Sequence, residues 1–299
     1  MNGLIYSFFK FIKINIYYRF RYNLIYLFKK QKSILDKNDL DFNDIKELKV
    51  NGFVKINNFF DRDKIYLIKN EFEKNFQENF DNFFYSIHPS KKQLVDKISL
   101  INISQNTNYI SLKDPLIFIP NISELLNTRL YNFIQSYFKC EIGLTSINIR
   151  KSFLNKLSDV ETNIYHKDEN SYNLLKVFIY LNDVDENTGP FIFVKKTHNK
   201  SNLKFFRNYR IDDEVINDNF DSSEIISLTG KVGDIIVANT RGLHKGKKVI
   251  NKERNMLTLT FGIHNEYFNK KSKVNINKSI LFNQSNYDKR FFKLANIID

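Results

Sequence analysis

Tryptophan is absent from this 299-residue chain and cysteine occurs once, at position 140. A lone cysteine excludes an internal disulfide framework and suits a reducing compartment. Proline (4) and glycine (9) are scarce, and no internal repeat or low-complexity linker interrupts the chain. Long apolar runs are missing at the start: within residues 1–33 no uncharged stretch exceeds nine residues, which excludes a membrane-spanning helix there. A secretory signal is not expected either, because a compact charged start, a clean apolar run and a small-residue cleavage site are all lacking. The expected location is cytoplasmic, with at most peripheral contact to a membrane.

What is abundant is aromatic and basic. Twenty-nine Phe and sixteen Tyr within a 42% hydrophobic composition can fill a sizeable core. The net charge of +13 is unevenly spread: residues 1–33 hold seven basic residues, no acid and ten aromatics, whereas the remainder holds 39 basic and 33 acidic residues. This divides the chain into a basic aromatic arm or helix, 1–33, and a single domain, 34–299. The arm either lies in a membrane interface beside anionic lipids or packs on the domain with its charges in water. Its charges do not fall on one clean face, which favours packing. No nucleic-acid-binding motif is present, so no nucleic acid is expected. The surplus positive charge points to an anionic substrate.

The strongest chemical signal is a split triad. His166 and Asp168 stand two apart in Tyr165-His166-Lys167-Asp168, His244 follows 78 residues later in Gly242-Leu243-His244-Lys245, and Arg254 comes ten residues after that. In a strand, residues i and i+2 share a face, so His166 and Asp168 can face one cavity while His244 arrives from a distant strand. Two imidazoles and one carboxylate leave half of an octahedral metal open, which suits non-haem Fe(II) holding a co-substrate and O2 together. Arg254 can then grip the far carboxylate of an oxo-acid. A jelly-roll or cupin-like barrel brings such distant strands together.

The surrounding segments carry a resemblance. The run Val177-Phe178-Ile179-Tyr180-Leu181-Asn182-Asp183-Val184-Asp185-Glu186-Asn187-Thr188-Gly189-Pro190 leads into Phe191-Ile192-Phe193-Val194 and ends at Lys196-Thr197-His198. Then come Gly230-Lys231-Val232-Gly233-Asp234-Ile235-Ile236-Val237-Ala238-Asn239 and, after Arg254, Met256-Leu257-Thr258-Leu259-Thr260-Phe261. Near the start stand Asn51-Gly52-Phe53-Val54-Lys55-Ile56 and Phe59-Phe60-Asp61. In order and spacing this set resembles the phytanoyl-CoA dioxygenase family over about residues 50 to 265. The resemblance implies a mainly β protein: a double-stranded β-helix (jelly-roll, cupin-like) core at about 145–265 with flanking N-terminal α-helices. It further implies an Fe(II)- and 2-oxoglutarate-dependent dioxygenase with His166, Asp168 and His244 as iron ligands and Arg254 on the distal carboxylate.

Two departures stand out. Family members often carry a hydroxyl two residues after the distal histidine, where this chain has Gly246; Thr258 or Thr260 is the expected substitute. The family's Gly-Ser-His element is Lys-Thr-His here. The carboxylate Asp168 favours hydroxylation over halogenation, since halogenating relatives replace it with a small residue. Arg241, Arg150 and Asn148 are candidate substrate contacts, with a surface ion pair the competing role for the arginines. His198, His264 and His88 read as structural or solvent-facing, and Phe178, Phe191 and Phe193 as core with a secondary role in walling the site.

Elsewhere, residues 34–50 read as a polar connector or short helix. Residues 61–80 read as a helix capped by Asp61 that buries Ile65, Leu67, Ile68 and Phe72, and 121–139 as a helix burying Leu125, Leu126, Leu130, Phe133 and Ile134. Residues 81–120 and 199–225 are expected to border the cavity, and 266–299 to form a short helix or packed tail. The expected activity is hydroxylation of a small-molecule or carrier- or lipid-linked substrate, with release of succinate and CO2. Alternatives are an envelope sugar or lipid hydroxylase held at the membrane, action on a peptide or protein side chain, and a non-enzymatic cupin-like binding protein.

Overall fold

The computed structural model describes residues 30–35, 39, 41–88, 91–94, 103, 107–155, 159, 161–168, 174–199, 210–263, 274–283, 287–293 and 295–298. Most of the basic arm (1–29) and His264 lie outside these residues.

Among the described residues, three helices of ten or more residues flank the strands, beside shorter ones at Pro115–Phe118, Asp213–Asn217 and Lys278–Asn283. The stretch read as connector or short helix contains α1, Phe42–Asn51, which buries Ile45 and Leu48 and stops at Gly52. Gly52 has φ of +89°, a conformation open to glycine at little cost. Helix α2, Arg62–Glu78, begins where Asp61 accepts a hydrogen bond from the Asp63 N–H and buries Ile65, Ile68 and Phe72. Leu67, expected inside, is 53% exposed: it sits one position before Ile68 and two after Ile65, so the 3.6-residue repeat turns it away from that face. Helix α3 spans Thr128–Phe138, capped by Asn127, whose side chain accepts from the Leu130 N–H. The helix expected from residue 121 is therefore divided. Pro120–Leu125 forms a separate 3-10 turn, and Leu125 and Leu126 are buried ahead of α3.

Strands β1 (Phe53–Ile56), β2 (Phe83–His88), β3 (Lys91–Leu94), β4 (Tyr109–Leu112), β5 (Ile142–Ser152), β6 (Leu174–Tyr180), β7 (Phe191–Val194), β8 (Ile225–Leu228), β9 (Ile235–Ala238), β10 (His244–Gly246) and β11 (Arg254–Ile263) build two antiparallel sheets. The large sheet has the order β1-β9-β6-β11-β5-β4-β2-β3 and the small one β10-β7-β8. A bridge between His166 and His244 places residue 166 beside the free side of β10. Near the end of the chain, β12 (Asn275–Asn277) pairs in parallel with β13 (Asn296–Ile298), and Phe291 and Phe292 join the main core.

The alternation of each strand sorts residues into two cores. One face of the large sheet carries Ile149, Val177, Ile179, Ile235, Val237, Leu257, Leu259 and Phe261 and packs on the helices through residues such as Phe72, Phe133 and Ile134. Each such buried side chain contributes about 1.5–3 kcal/mol relative to exposure. The other face carries Phe178, Tyr180, Ile236, Ala238 and Met256, which meet Phe191, Phe193 and Leu228 of the small sheet. This is a mainly β, double-stranded β-helix architecture with helices on one outer face. Arg254, Met256, Thr258 and Thr260 fall on the inward face of β11, opposite Ser152, Arg150, Asn148 and Ser146 of β5.

Candidate active site

The two histidines are held by each other's backbone. The His166 N–H donates to the His244 carbonyl, and the His244 N–H to the His166 carbonyl, both at 3.0 Å. Their rings stand 4.3 Å apart, inclined at 52°. Each ring is oriented in the same way: Nδ1 of His166 lies 2.8 Å from the Ile164 carbonyl, and Nδ1 of His244 lies 2.9 Å from the Gly242 carbonyl. With Nδ1–H spent on a carbonyl two residues back, the Nε2 lone pair is the one left for a metal. The Asp168 N–H donates to the Thr240 carbonyl at 2.8 Å, which brings its carboxylate to 3.8 Å from His244 Nε2. One ligand atom from each of the three residues falls within 4.8 Å of the others.

Electrostatics prepare these groups as ligands. Burial, with the neighbouring imidazole adding, pushes His166 well below the usual histidine range. Burial also lowers His244, partly opposed by Asp168. Both rings are therefore neutral near pH 7. Asp168 is buried, which disfavours its charge, but the Lys176 ammonium, joined by the imidazoles where they are protonated, outweighs that and holds the carboxyl below its ordinary range. Lys176 Nζ lies 2.6 Å from Asp168 Oδ2. The Phe191 ring closes the other flank, 5.5 Å from the His244 ring.

Arg254 is 4% exposed. Its Nη2 donates to Ser152 Oγ at 3.3 Å, while Nε and Nη1 are buried with no hydrogen-bond partner. Burial, with Arg150 adding, pushes its basicity down to about 10, so it stays charged at neutral pH. Around it is a recess lined by Arg150, Ser152, Tyr109, Thr162 and Lys247, among others, and among the described residues no Asp or Glu is part of that lining. A buried guanidinium with unspent donors and no carboxylate is costly by itself and fits an incoming anion.

The remaining candidates are distributed as follows. Arg150 lines the same recess. Asn148 and Thr258 face each other across β5 and β11 and are half-buried on the inward face. The hydroxyl on Arg254 is Ser152, directly opposite it in the register, rather than Thr258, which lies about 13 Å further along at ~3.3 Å per residue. Arg241 lies before β10, and its positive charge lowers His198. His198 is structural, its Nε2 3.2 Å from the Lys49 carbonyl and its ring against Gly52. Phe178, Phe191 and Phe193 are core residues. Sequence reasoning missed Lys176, Ser152, Thr162 and Arg210, whose charge acts on both imidazoles. For Lys176 a signal existed, since it is two residues before Phe178 on an alternating strand.

A double-stranded β-helix carrying two neutral imidazoles, one ionised carboxylate and a buried anion-seeking arginine defines the class of non-haem iron enzymes that use a 2-oxo acid. The donor set fits Fe(II), and the orphaned Arg254 donors fit the distal carboxylate of 2-oxoglutarate. The profile of the phytanoyl-CoA dioxygenase (PhyH) family matches residues 48–256, and the chain belongs to that family.

Solved structures show the same fold. The α-ketoglutarate-dependent epimerase SnoN from nogalamycin biosynthesis aligns over 74% of this chain and 81% of its own, with TM-score 0.52 and 13% identity. HygX from Streptomyces hygroscopicus, solved with nickel and 2-oxoglutarate bound, aligns over 81% and 92% with TM-score 0.53 and 13% identity. AviO1 from Streptomyces viridochromogenes aligns over 76% and 96% with TM-score 0.51 and 12% identity. No curated protein sequence matches the chain.

Proposed function

We propose that this protein is an Fe(II)- and 2-oxoglutarate-dependent dioxygenase that hydroxylates a small-molecule substrate. The observation that carries the reading is the pairing of an assembled His166–Asp168–His244 cluster with a buried arginine holding unspent donors. His166, Asp168 and His244 would hold the iron, and Arg254 the distal carboxylate of 2-oxoglutarate. When bound, iron and co-substrate supply, with O2, the oxidising power for an unactivated C–H bond, with succinate and CO2 as co-products.

The chain's own part is placement. Carbonyl-anchored imidazoles present Nε2 without rotation, Lys176 keeps Asp168 ionised, and Phe191 excludes water from one flank. Asp168 fills the third ligand position, which supports hydroxylation. Bound small molecules in similar folds, nogalamycin RO on SnoN and hygromycin B on HygX, support a small-molecule substrate here. The assembled cluster and Arg254 argue against a non-enzymatic binding barrel, which has no use for all four.

The test is the visible charge-transfer band of the anaerobic protein with Fe(II) and 2-oxoglutarate, followed by succinate release on exposure to O2. A band in wild type is expected, with iron binding impaired in Asp168→Ala and 2-oxoglutarate binding impaired in Arg254→Ala. Metal bound without any band, and no succinate, would leave a binding protein as the reading.

A further inference from the structure

Two guanidinium groups, Arg150 and Arg254, share one recess. Arg254 faces Ser152 across the β11–β5 ladder and Met256 faces Arg150, so the two arginines are diagonal neighbours on one sheet face, with Cβ atoms about 7–8 Å apart or somewhat less. Arg150 is held as firmly as Arg254. Its Cζ lies 3.8 Å from the Tyr109 ring centre, and its Nη1 donates to Thr162 Oγ1 at 3.3 Å. Its Nε is buried with no hydrogen-bond partner, as are Nε and Nη1 of Arg254. Each arginine thus spends one corner on a neutral hydroxyl and keeps other donors free, and among the described residues no carboxylate lines the space they share. Like charges set this close repel, and a bound anion offsets that repulsion.

At Gly246 the opposite wall adds no side chain beside Arg254. A Cβ at Gly246 would stand 3.4 Å from Arg254 Nη2 and 3.7 Å from Nη1. The β10 residue beside the guanidinium therefore has no side chain with which to hold an anion. On the same sheet face as Arg254, β5 offers a second guanidinium, Arg150.

We infer that Arg150 is a second anchor for the distal carboxylate of 2-oxoglutarate, acting with Arg254 as a two-arginine clamp that selects a dicarboxylic 2-oxo acid over a monocarboxylic one. This rests on the reading of the site as an iron and 2-oxoglutarate centre. Arg150 is then a determinant of co-substrate specificity rather than a substrate contact.

The test titrates the anaerobic Fe(II)-loaded protein, followed by its charge-transfer band, with 2-oxoglutarate and with 2-oxopentanoate, which carries a methyl group in place of the distal carboxylate. Wild type, Arg150→Gln and Arg150→Lys are compared, and iron affinity is measured separately in each. Arg150→Gln should weaken 2-oxoglutarate on the order of ten- to a hundredfold, leave 2-oxopentanoate and iron binding as in wild type, and so collapse the preference between the two acids. Arg150→Lys should recover part of the loss, because it restores charge but not the planar fork. Unchanged 2-oxoglutarate affinity in Arg150→Gln would overturn the inference and return Arg150 to the substrate. Equal weakening of both acids, or loss of iron affinity, would overturn it as a mere distortion of the site. Absence of a band with either acid in wild type would overturn the functional reading itself.

Discussion

Lys176 Nζ lies 2.6 Å from Asp168 Oδ2, the same oxygen that comes within 3.8 Å of His244 Nε2. Before metal arrives, this ammonium is the cation that compensates the ligand carboxylate. Lys176→Met should destabilise the metal-free protein by about 1–3 kcal/mol, the cost of leaving a largely buried charge unpaired. The metal-loaded protein should lose much less, because a divalent cation takes over the compensation. Denaturant unfolding with and without Mn(II) measures both, and equal losses would refute the compensating role.

Arg254 poses the opposite case. Its charge is buried with two donor atoms unpartnered, so the metal-free, ligand-free protein bears its desolvation. Arg254→Met should therefore leave the apo protein as stable as wild type or raise its stability by about 1–2 kcal/mol. It should also weaken 2-oxoglutarate binding on the order of a hundredfold or more. Thermal unfolding and ligand titration together test this trade. A large fall in apo stability would show that the guanidinium has a structural role.

The two buried imidazoles dictate a pH dependence. Their folded-state pKa values lie below the ordinary histidine value, so the unfolded chain takes up protons that the folded one refuses. Apo stability is full above about pH 6.5 and falls as pH drops below it, by up to about 2.7 kcal/mol per pH unit if both rings stay neutral in the fold. The depressed Asp168 pKa adds a further loss at lower pH, below about 3.9. Urea unfolding between pH 7.5 and 5 measures the slope, and a His166→Gln/His244→Gln variant should flatten it. A slope unchanged in that variant would assign the pH dependence to other groups.

Gly52 links the helical layer to the site. Its carbonyl accepts the Asn239 N–H, and the next residue, Thr240, receives the Asp168 N–H. A Cβ at Gly52 would fall 2.4 Å from His198 Nδ1, on a backbone with φ of +89°. Gly52→Ala should cost about 2–4 kcal/mol and weaken metal binding. Adding His198→Ala should recover most of the steric part, leaving the 3.0 Å approach to Phe193 Cε1 and about 1 kcal/mol of backbone strain. Unfolding midpoints for the single and double variants decide the matter.

The triad was legible in the sequence because two of its members are two residues apart and the third stands in a recognisable segment. Arg254 was legible for the same reason. What the sequence could not show is register. Ser152 becomes the partner of Arg254 only because β5 and β11 pair at that offset, and a shift of one residue would have put every side chain on the other face. Thr258 shared the right face but not the right height. Lys176 pairs with Asp168, and Arg150 joins Arg254, only once the strands are assembled. The single helix read at 121–139 failed because a good capping residue, Asn127, lies inside an otherwise continuous apolar pattern. The exposed Leu67 shows that hydrophobicity without position on the 3.6-residue repeat is a poor guide to burial.

The mutual backbone bridge of His166 and His244 also bears on how the molecule folds. It joins residues 78 positions apart, across an intervening stretch that includes β6 to β9. Contacts of such long range form slowly, since the loop must close before they return anything. The iron-holding geometry is thus a late product of chain collapse, and an ion bound there clasps the loop shut. Metal loading should slow unfolding more than it speeds folding, which makes the ion a brake on the molecule's decay as well as the seat of its chemistry.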